Sequence, residues 1–582
     1  MLHTSTTISI AGKQFHQFIS LRLEQTLDKH HFFELKIGYD WLLDLDIGKN
    51  IFSASKALLG EEVNIVTYPV EQNSAMEPMT FSGIIAAINS GKDDDGIHGY
   101  CVIHGCSPTI LMQNNPHIQC FESQTLADIA QNALKVCTPY TSAPKVEPVT
   151  SDNLKYIVQY KESNFDFLHR LAKRFGEWFF YTGQQIVFGR YSGKRVNLVH
   201  MIDLIHFDIA LKIQPNNLVM NGYDYREHQV VQDSTLNQPS GKMDLYSQHV
   251  QALSEKLYSR PSLYKITYAF TSNAKTELNR LLTRQKKGTI ADMVHLKGKS
   301  RNTSIRIGDT IAIKENVYSQ EDHGQFFVTG ITHYCNGNGE YYNEFSGIPI
   351  EVAAPIVDID DYPHCEAQSA KVIDNHDPKG LGRIKVKFKW QEQGSTPWLQ
   401  IISPHGGGDK GFYMVPEKGE EVMVGFEGGN PELPFVLGTT YNGKARSTFG
   451  NAGNDLKALK TRSGISVLMN DANGSVTIND PSGNQVVMHG NKQITLNAPE
   501  KLIINSKDIV INGSNSIKIG KGTSPTHVVI DTSGNTISIK SDANSIHGKD
   551  NTITGTNSNQ VNGQKNHIKG ESKLDGGNVF IN

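Results

Sequence analysis

Four copies of a three-residue unit, Ile or Val, then a polar residue, then Gly, mark the C-terminal region: Ile546-His547-Gly548, Ile553-Thr554-Gly555, Val561-Asn562-Gly563 and Ile568-Lys569-Gly570. Their apolar residues advance in steps of seven, eight and seven. Upstream, a similar beat runs through Ile494, Leu502, Ile509 and Ile517, each opening an apolar or apolar-polar-apolar triplet. A unit this short holds one strand and one turn. It cannot close a hydrophobic layer within one chain, so a stack of such units needs neighbours, and the simplest neighbours are two more copies of the chain. The pattern predicts a stiff, intertwined β-rod in an obligate homotrimer.

Composition marks the same boundary. From Asn451 to Asn582 there is no Trp, Tyr or Cys, and the one Phe is Phe580. A segment without large side chains cannot build an ordinary globular core. The regular β-branched beat separates it from disordered Asn/Ser/Gly-rich sequence, which is poor in Ile and Val.

The chain has 582 residues, enough for three or four domains, with 56 basic and 59 acidic side chains and a net charge of -3. That balance gives no electrostatic reason to expect nucleic acid or an anionic membrane as the main partner. The start, Met1 to Thr6, lacks a basic region followed by an apolar core, and the apolar runs are too short to span a bilayer. The expectation is a soluble protein assembled in the cytoplasm that leaves the cell by another route. Cys101, His104 and Cys106 are close enough to raise a metal site, but the spacing lacks a clean zinc pattern and alternates as strand residues do.

Residues 1–120 carry short apolar alternations such as Phe32 to Ile37 and Val63 to Val66, broken by turn signals, which reads as a barrel or sandwich. Helices are predicted from about Thr125 to Leu134, after the capping signal Ser163-Asn164-Phe165-Asp166, and from Ala274 to Gln285. Between the last two, the sequence reads as strand. Strands are predicted through Ile305 to Ile313 and Gln325 to Gly330, and a linker at Ala353 to Pro363. From Lys371 to Tyr441 five strands are predicted, at Arg383 to Trp390, Trp398 to Ile401, Gly411 to Val415, Glu421 to Phe426 and Phe435 to Gly438. That spacing fits an OB-type barrel.

Three successive blocks in this region, DPKGLGRIKVKFKW, PWLQI and GFYMVPEKGEEVMVGFEGGNPELPFVLGTTYN, closely resemble the OB module of the VgrG family, the spike proteins of type VI secretion and related contractile injection machines. The segment ESNFDFLHRLAKRFGEWFFY resembles that family's hub helix and following strand, and FFVTGITHYCNGNGEYYNEFSGIP resembles the segment that closes the hub. With the rod, the resemblance covers essentially the whole chain. It implies a mainly β protein: a phage-hub-like domain of two β-barrel-like subdomains with inserted helices at 1–355, an OB-fold neck at 356–452, and an intertwined trimeric β-helix needle at 453–582. It also implies partners: an Hcp-like tube protein, baseplate proteins, a PAAR-type tip protein, effector cargo and a target membrane punctured in passing. Some relatives carry a lysozyme domain before the needle or a toxic enzyme after it. Here only a short linker precedes the rod, expected to begin near Thr461, and the chain ends within the repeat at Asn582. Type VI spikes and phage-tail-like extracellular particles share all these blocks, so the blocks do not separate the two machines.

The expectation is therefore a mechanical protein without catalysis or cofactor. Glu417, Glu420, Glu421 and Glu427 read as solvated charges of a strand-turn-strand segment, whereas a general acid needs a cleft and a raised pKa. The run from His405 to Gly408 resembles an esterase oxyanion loop, but no G-x-S-x-G elbow accompanies it. A carbohydrate-degrading spike is the enzymatic alternative.

An OB barrel that binds nucleic acid or oligosaccharide is the binding alternative, because Arg383, Lys385, Lys387 and Lys389 alternate onto one face. Phe388 and Trp390 alternate onto the other, where they fill a barrel rather than stack bases, so nucleic acid is not expected as a partner. Near the tip only His547 and His567 are available to hold a metal, and strand alternation against Ile546 and Ile568 turns both outward, so none is expected. The last residues, Leu574, Asp575, Gly576, Gly577, Asn578, Val579, Phe580, Ile581 and Asn582, are the expected docking surface for a tip protein. Three copies would create a blunt apolar end with open strand edges, which demands cover. Phe580 plugging the trimer axis is the packing alternative.

Overall fold

The computed structural model describes residues 3–44, 56–70, 76–92, 99–266, 273–315, 321–520, 527–531 and 536–540. The chain divides into two compact units, Met1–Arg446 and Ser447–Asn582. All four repeats from Ile546 onward and the whole tip segment from Leu574 to Asn582 lie outside the described residues, as do the tip histidines.

The first unit is built on one continuous sheet. Its strands follow the order Leu204–Leu211, Val294–Ser300, Tyr341–Pro349, Asp322–Asn336, Ser20–Thr26, Phe32–Gly38, Gly99–Cys106, Met79–Lys92, Glu62–Pro69, Thr4–Ile10 and Lys13–Phe15, and Thr310–Lys314 and Arg195–Val199 branch from it. The sheet curls into two barrel-like halves that share Asp322–Asn336. This 15-residue strand is broken by a bulge at Val328/Gly330; residues before it pair with Thr310–Lys314, and residues from Gly330 onward pair with Ser20–Thr26. A bulge bends and twists a strand, which lets one strand serve two barrels. The first half closes where the Thr4 N–H donates to the Gly339 carbonyl at 3.0 Å, and the second where His200 bridges Leu204. Alternation sends Leu23, Phe33, Ile65, Phe81 and Ile103 into the first core and Leu198, Ile311, Phe326 and Phe345 into the second.

Where the halves meet, a polar cluster is sealed in. Gln25 Nε2 lies 3.0 Å from His31 Nδ1, Gln25 Oε1 lies 3.2 Å from His333 Nε2, and His333 Nδ1 lies 2.8 Å from the Tyr341 hydroxyl. Both imidazoles are fully buried, and burial holds each down at about 3.

Five α-helices have bounds within the described residues: α1 Tyr39–Asp44, α2 Leu126–Leu134, α3 Asn164–Phe175, α4 Leu245–Leu257 and α5 Ala274–Ala291. Helices α2 and α3 lie where their caps predict. Thr125 and Asp128 close a capping box on α2; on α3 the Ser163 side chain accepts the Asp166 N–H, and Gly176 ends the helix at φ 61°. Helix α5 runs past Gln285 to Ala291, and Gly288 in that extension lets the linker approach closely: a Cβ there would lie 2.9 Å from the Pro355 carbonyl. Helix α4 replaces strand expected from the sequence. The strand expected from Ile305 begins only at Thr310, after a turn in which Gly308 has φ +83°.

The OB barrel orders Lys385–Phe388, Gln368–Asp374, Glu421–Phe426 and Pro434–Thr439 in one sheet. Bridges from Ile384 to Leu399 and from Ile401 to Val436 close it around Val372, Val386, Phe388, Val422 and Val424. The strand expected at Gly411 to Val415 does not form: Lys410-Gly411 pairs with Gly406-Gly407 in a small hairpin, and Phe412, Tyr413 and Met414 are exposed.

The second unit begins as an antiparallel meander of Leu456–Lys460, Ser466–Asn470, Ser475–Asn479, Gln485–Met488 and Ile494–Asn497, starting before the Thr461 expected from sequence. A three-stranded sheet of Ser516–Gly520, His527–Asp531 and Thr536–Lys540 follows. Residues 501–512 between them form no strand pairing among the described residues.

Candidate assembly interface

The hub and the OB barrel are joined through a buried ion cluster. Arg170 of α3 is 3% exposed; its Nε donates to Glu162 Oε1 at 2.7 Å, and its Nη2 donates to Glu162 Oε2 at 2.9 Å and to the Val158 carbonyl at 2.7 Å. From the OB side, Glu432, also 3% exposed, approaches Arg170 Nη1 at 3.4 Å and pairs with Arg174. Two arginines thus face two carboxylates, with a backbone carbonyl taking a further guanidinium proton. Such a pair is expensive to break, because the remaining charge stays in low dielectric. The sequence marks Arg170 only faintly, as a cation set among the Phe167, Leu168 and Leu171 stripe of the helix.

Beside this joint lies a cleft of about 1240 Å³ between hub and barrel, bordered by Tyr156, Tyr223, Arg280, Trp398, Ile402 and Phe435. Four ion pairs along it are made within the chain. Arg280 pairs with Asp152, Arg226 with Asp224, Lys265 with Glu427 and Lys379 with Glu227.

The second unit presents the opposite situation. Among its described residues none is buried. Leu502, Ile503, Ile504, Ile509, Val510 and Ile511 are 54% to 79% exposed, and Ile494, Leu496, Ile519, Ile537 and Ile539 all exceed half. Folded strands do not normally leave a continuous apolar surface in water.

The candidates raised by sequence fall as follows. Arg383 is buried rather than part of an exposed basic face: its guanidinium grips Asp377 at 2.7 and 2.9 Å and holds that carboxyl well below the usual carboxylate range. Lys385 faces Glu122, Lys387 donates to the Glu392 carbonyl and Lys389 faces Glu421. Phe388 stacks on Trp390 and Phe426 inside the barrel, and Trp390 Nε1 donates to Gln368. Glu421 is held below its ordinary pKa by hydrogen bonds from Lys389 and Asn442, the reverse of what a general acid needs. Glu420 accepts the Glu417 N–H in a turn, and Gly406 to Gly408 are exposed in the hairpin. Cys101 points into the core while His104 and Cys106 occupy the other face of their strand.

Residues 43–339 match the model of the phage tail baseplate hub, and residues 368–441 match that of the type VI secretion system/phage-baseplate injector OB domain. The chain belongs to the phage tail baseplate hub family and, within it, to the VgrG spike proteins. It is 22% identical over 431 residues to the type VI secretion system spike protein VgrG1b of Pseudomonas aeruginosa, covering 66% of this chain and 54% of that protein. Over 373 residues it is 24% identical to the actin cross-linking toxin VgrG1 of Vibrio cholerae, covering 57% of this chain and 32% of the toxin. A chain of the Francisella PdpA–VgrG complex shares the fold at a TM-score of 0.54 and 8% identity, over 85% of this chain and 80% of that one. The chain spans about half the length of the Pseudomonas relatives it matches.

Proposed function

We propose that this chain forms, as a homotrimer, the hub and membrane-puncturing spike at the head of a contractile injection tube, that it carries a PAAR-type tip with effector cargo, and that it acts mechanically rather than as an enzyme. The observation that carries the reading is the unburied second unit. Its apolar triplets at 502–504 and 509–511 have no partner strand among the described residues, and further copies would supply both the backbone partners and the cover. Three-fold symmetry agrees with a hub that must match a ring of Hcp-like tube subunits. Assembly in the cytoplasm and export with the particle follow from the same role.

A partner at the distal end is supported by the apolar close of the chain at Val579, Phe580 and Ile581. The Francisella relative, which is found in a complex with PdpA, supports cargo or accessory partners in general. Removal of Gly577 to Asn582 is expected to leave the trimer intact and abolish retention of a PAAR-type protein in a pull-down; undiminished retention would place the docking surface elsewhere. Purified protein is expected to release no sugars from isolated cell wall. Turnover that disappears on changing a single carboxylate would make the spike an enzyme.

A further inference from the structure

Three strand ends of the second hub barrel bring two imidazoles and two carboxylates to one edge of the sheet. His200 follows Arg195–Val199, Glu315 follows Thr310–Lys314, and the two strands run parallel with Val199 opposite Lys314, so the next residue of each falls side by side. His323 enters from Asp322–Asn336, whose Asp322 pairs with Lys314, and the Glu315 N–H donates to the Glu321 carbonyl at 3.0 Å. Glu315 stands at the centre. Its Oε1 lies 3.1 Å from His200 Nδ1, its Oε2 lies 3.6 Å from His323 Nε2, and Glu321 Oε2 lies 4.0 Å from the same nitrogen. The Phe207 ring packs against both imidazoles, with centroids 5.3 and 5.0 Å away, and walls one side.

Two features separate this group from an ordinary surface ion pair. His323 Nε2 is buried and makes no hydrogen bond, and both carboxylates facing it stand too far away to form one. One donor atom each of Glu315, Glu321 and His323 also lies within 4.8 Å of the others, a span that a single ion could bridge. An ion among them would satisfy the orphaned nitrogen and offset two negative charges at once.

We propose that Glu315, Glu321 and His323 form a binding site for a divalent transition-metal ion of the zinc type, with His200 positioning the Glu315 carboxylate. Imidazole nitrogen favours zinc over calcium or magnesium, which take oxygen donors. The site lies beside the His200–Leu204 bridge that closes the second barrel, so a bound ion would pin the seam.

The test is calorimetric titration of the full chain, stripped with chelator, using zinc chloride and, in parallel, magnesium and calcium chloride. One zinc per chain is expected, with a rise of several degrees in melting temperature and no comparable response to the other two ions. H323A and E321Q are each expected to weaken zinc binding at least about tenfold, while H249A, at an exposed histidine on α4, leaves it unchanged. Glu321 is two-thirds exposed, so its substitution does not threaten the fold. Zinc affinity unchanged in both H323A and E321Q, or absence of zinc binding to the parent chain, would overturn the assignment.

Discussion

Two buried polar clusters decide how the hub responds to single substitutions and to acid. Truncating Arg170 to Ala strands Glu162 and Glu432 without their main cation, and losing one partner of a buried pair costs about 3–5 kcal/mol. The expected result is a marked fall in melting temperature; a change within error would mean that water already screens the cluster. The His31 and His333 pair gives a pH signature. Their folded pKa values, about 3, lie below the unfolded value of 6.5, so the unfolded chain binds more protons between those limits. Their contribution is complete above about pH 6.5 and is lost as pH falls toward 3, at up to about 1.4 kcal/mol per pH unit for each imidazole. Chemical denaturation across that range should show the slope, and H333Q should reduce it. Neither cluster was legible in the sequence, because each joins residues far apart in the chain: Gln25 to His333, and Arg170 to Glu432.

Elements were legible where their signals are local. Helices α2 and α3 carry their own caps, and the OB strands alternate cleanly, so both follow from short windows. Helix α4 was hidden because its polarity is inverted: Ser247, Val250, Gln251 and Ser254 face inward while Leu245, Leu253 and Leu257 face water. The expected strand at Gly411 to Val415 failed for the opposite reason. Its apolar residues suggest burial, but no neighbouring strand is placed to receive them within the chain. The triplets at 502–504 and 509–511 fall in a stretch of the second unit that forms no strand pairing among the described residues, after a run of hairpins, and the repeats from Ile546 onward lie outside the described residues. That stretch is the place to break assembly. The double variant I503D/V510D should leave the melting of the first unit unchanged, since that unit folds around its own cores, and should abolish trimer in sedimentation. A trimer that survives both charges would show that these triplets do not form the interface.

The whole molecule contrasts one unit with self-sufficient cores and another with none of its described residues buried. On the proposed reading, the first unit folds around its own cores and the second is completed by further copies of the chain. Among the described residues no helix is long and apolar enough to cross a membrane. The most direct test is the native mass of the full chain in solution, by sedimentation equilibrium or native mass spectrometry at micromolar concentration. A single species of three times the 64.5 kDa chain mass is the expected result. A stable monomer with a folded, protease-resistant second unit would contradict the account.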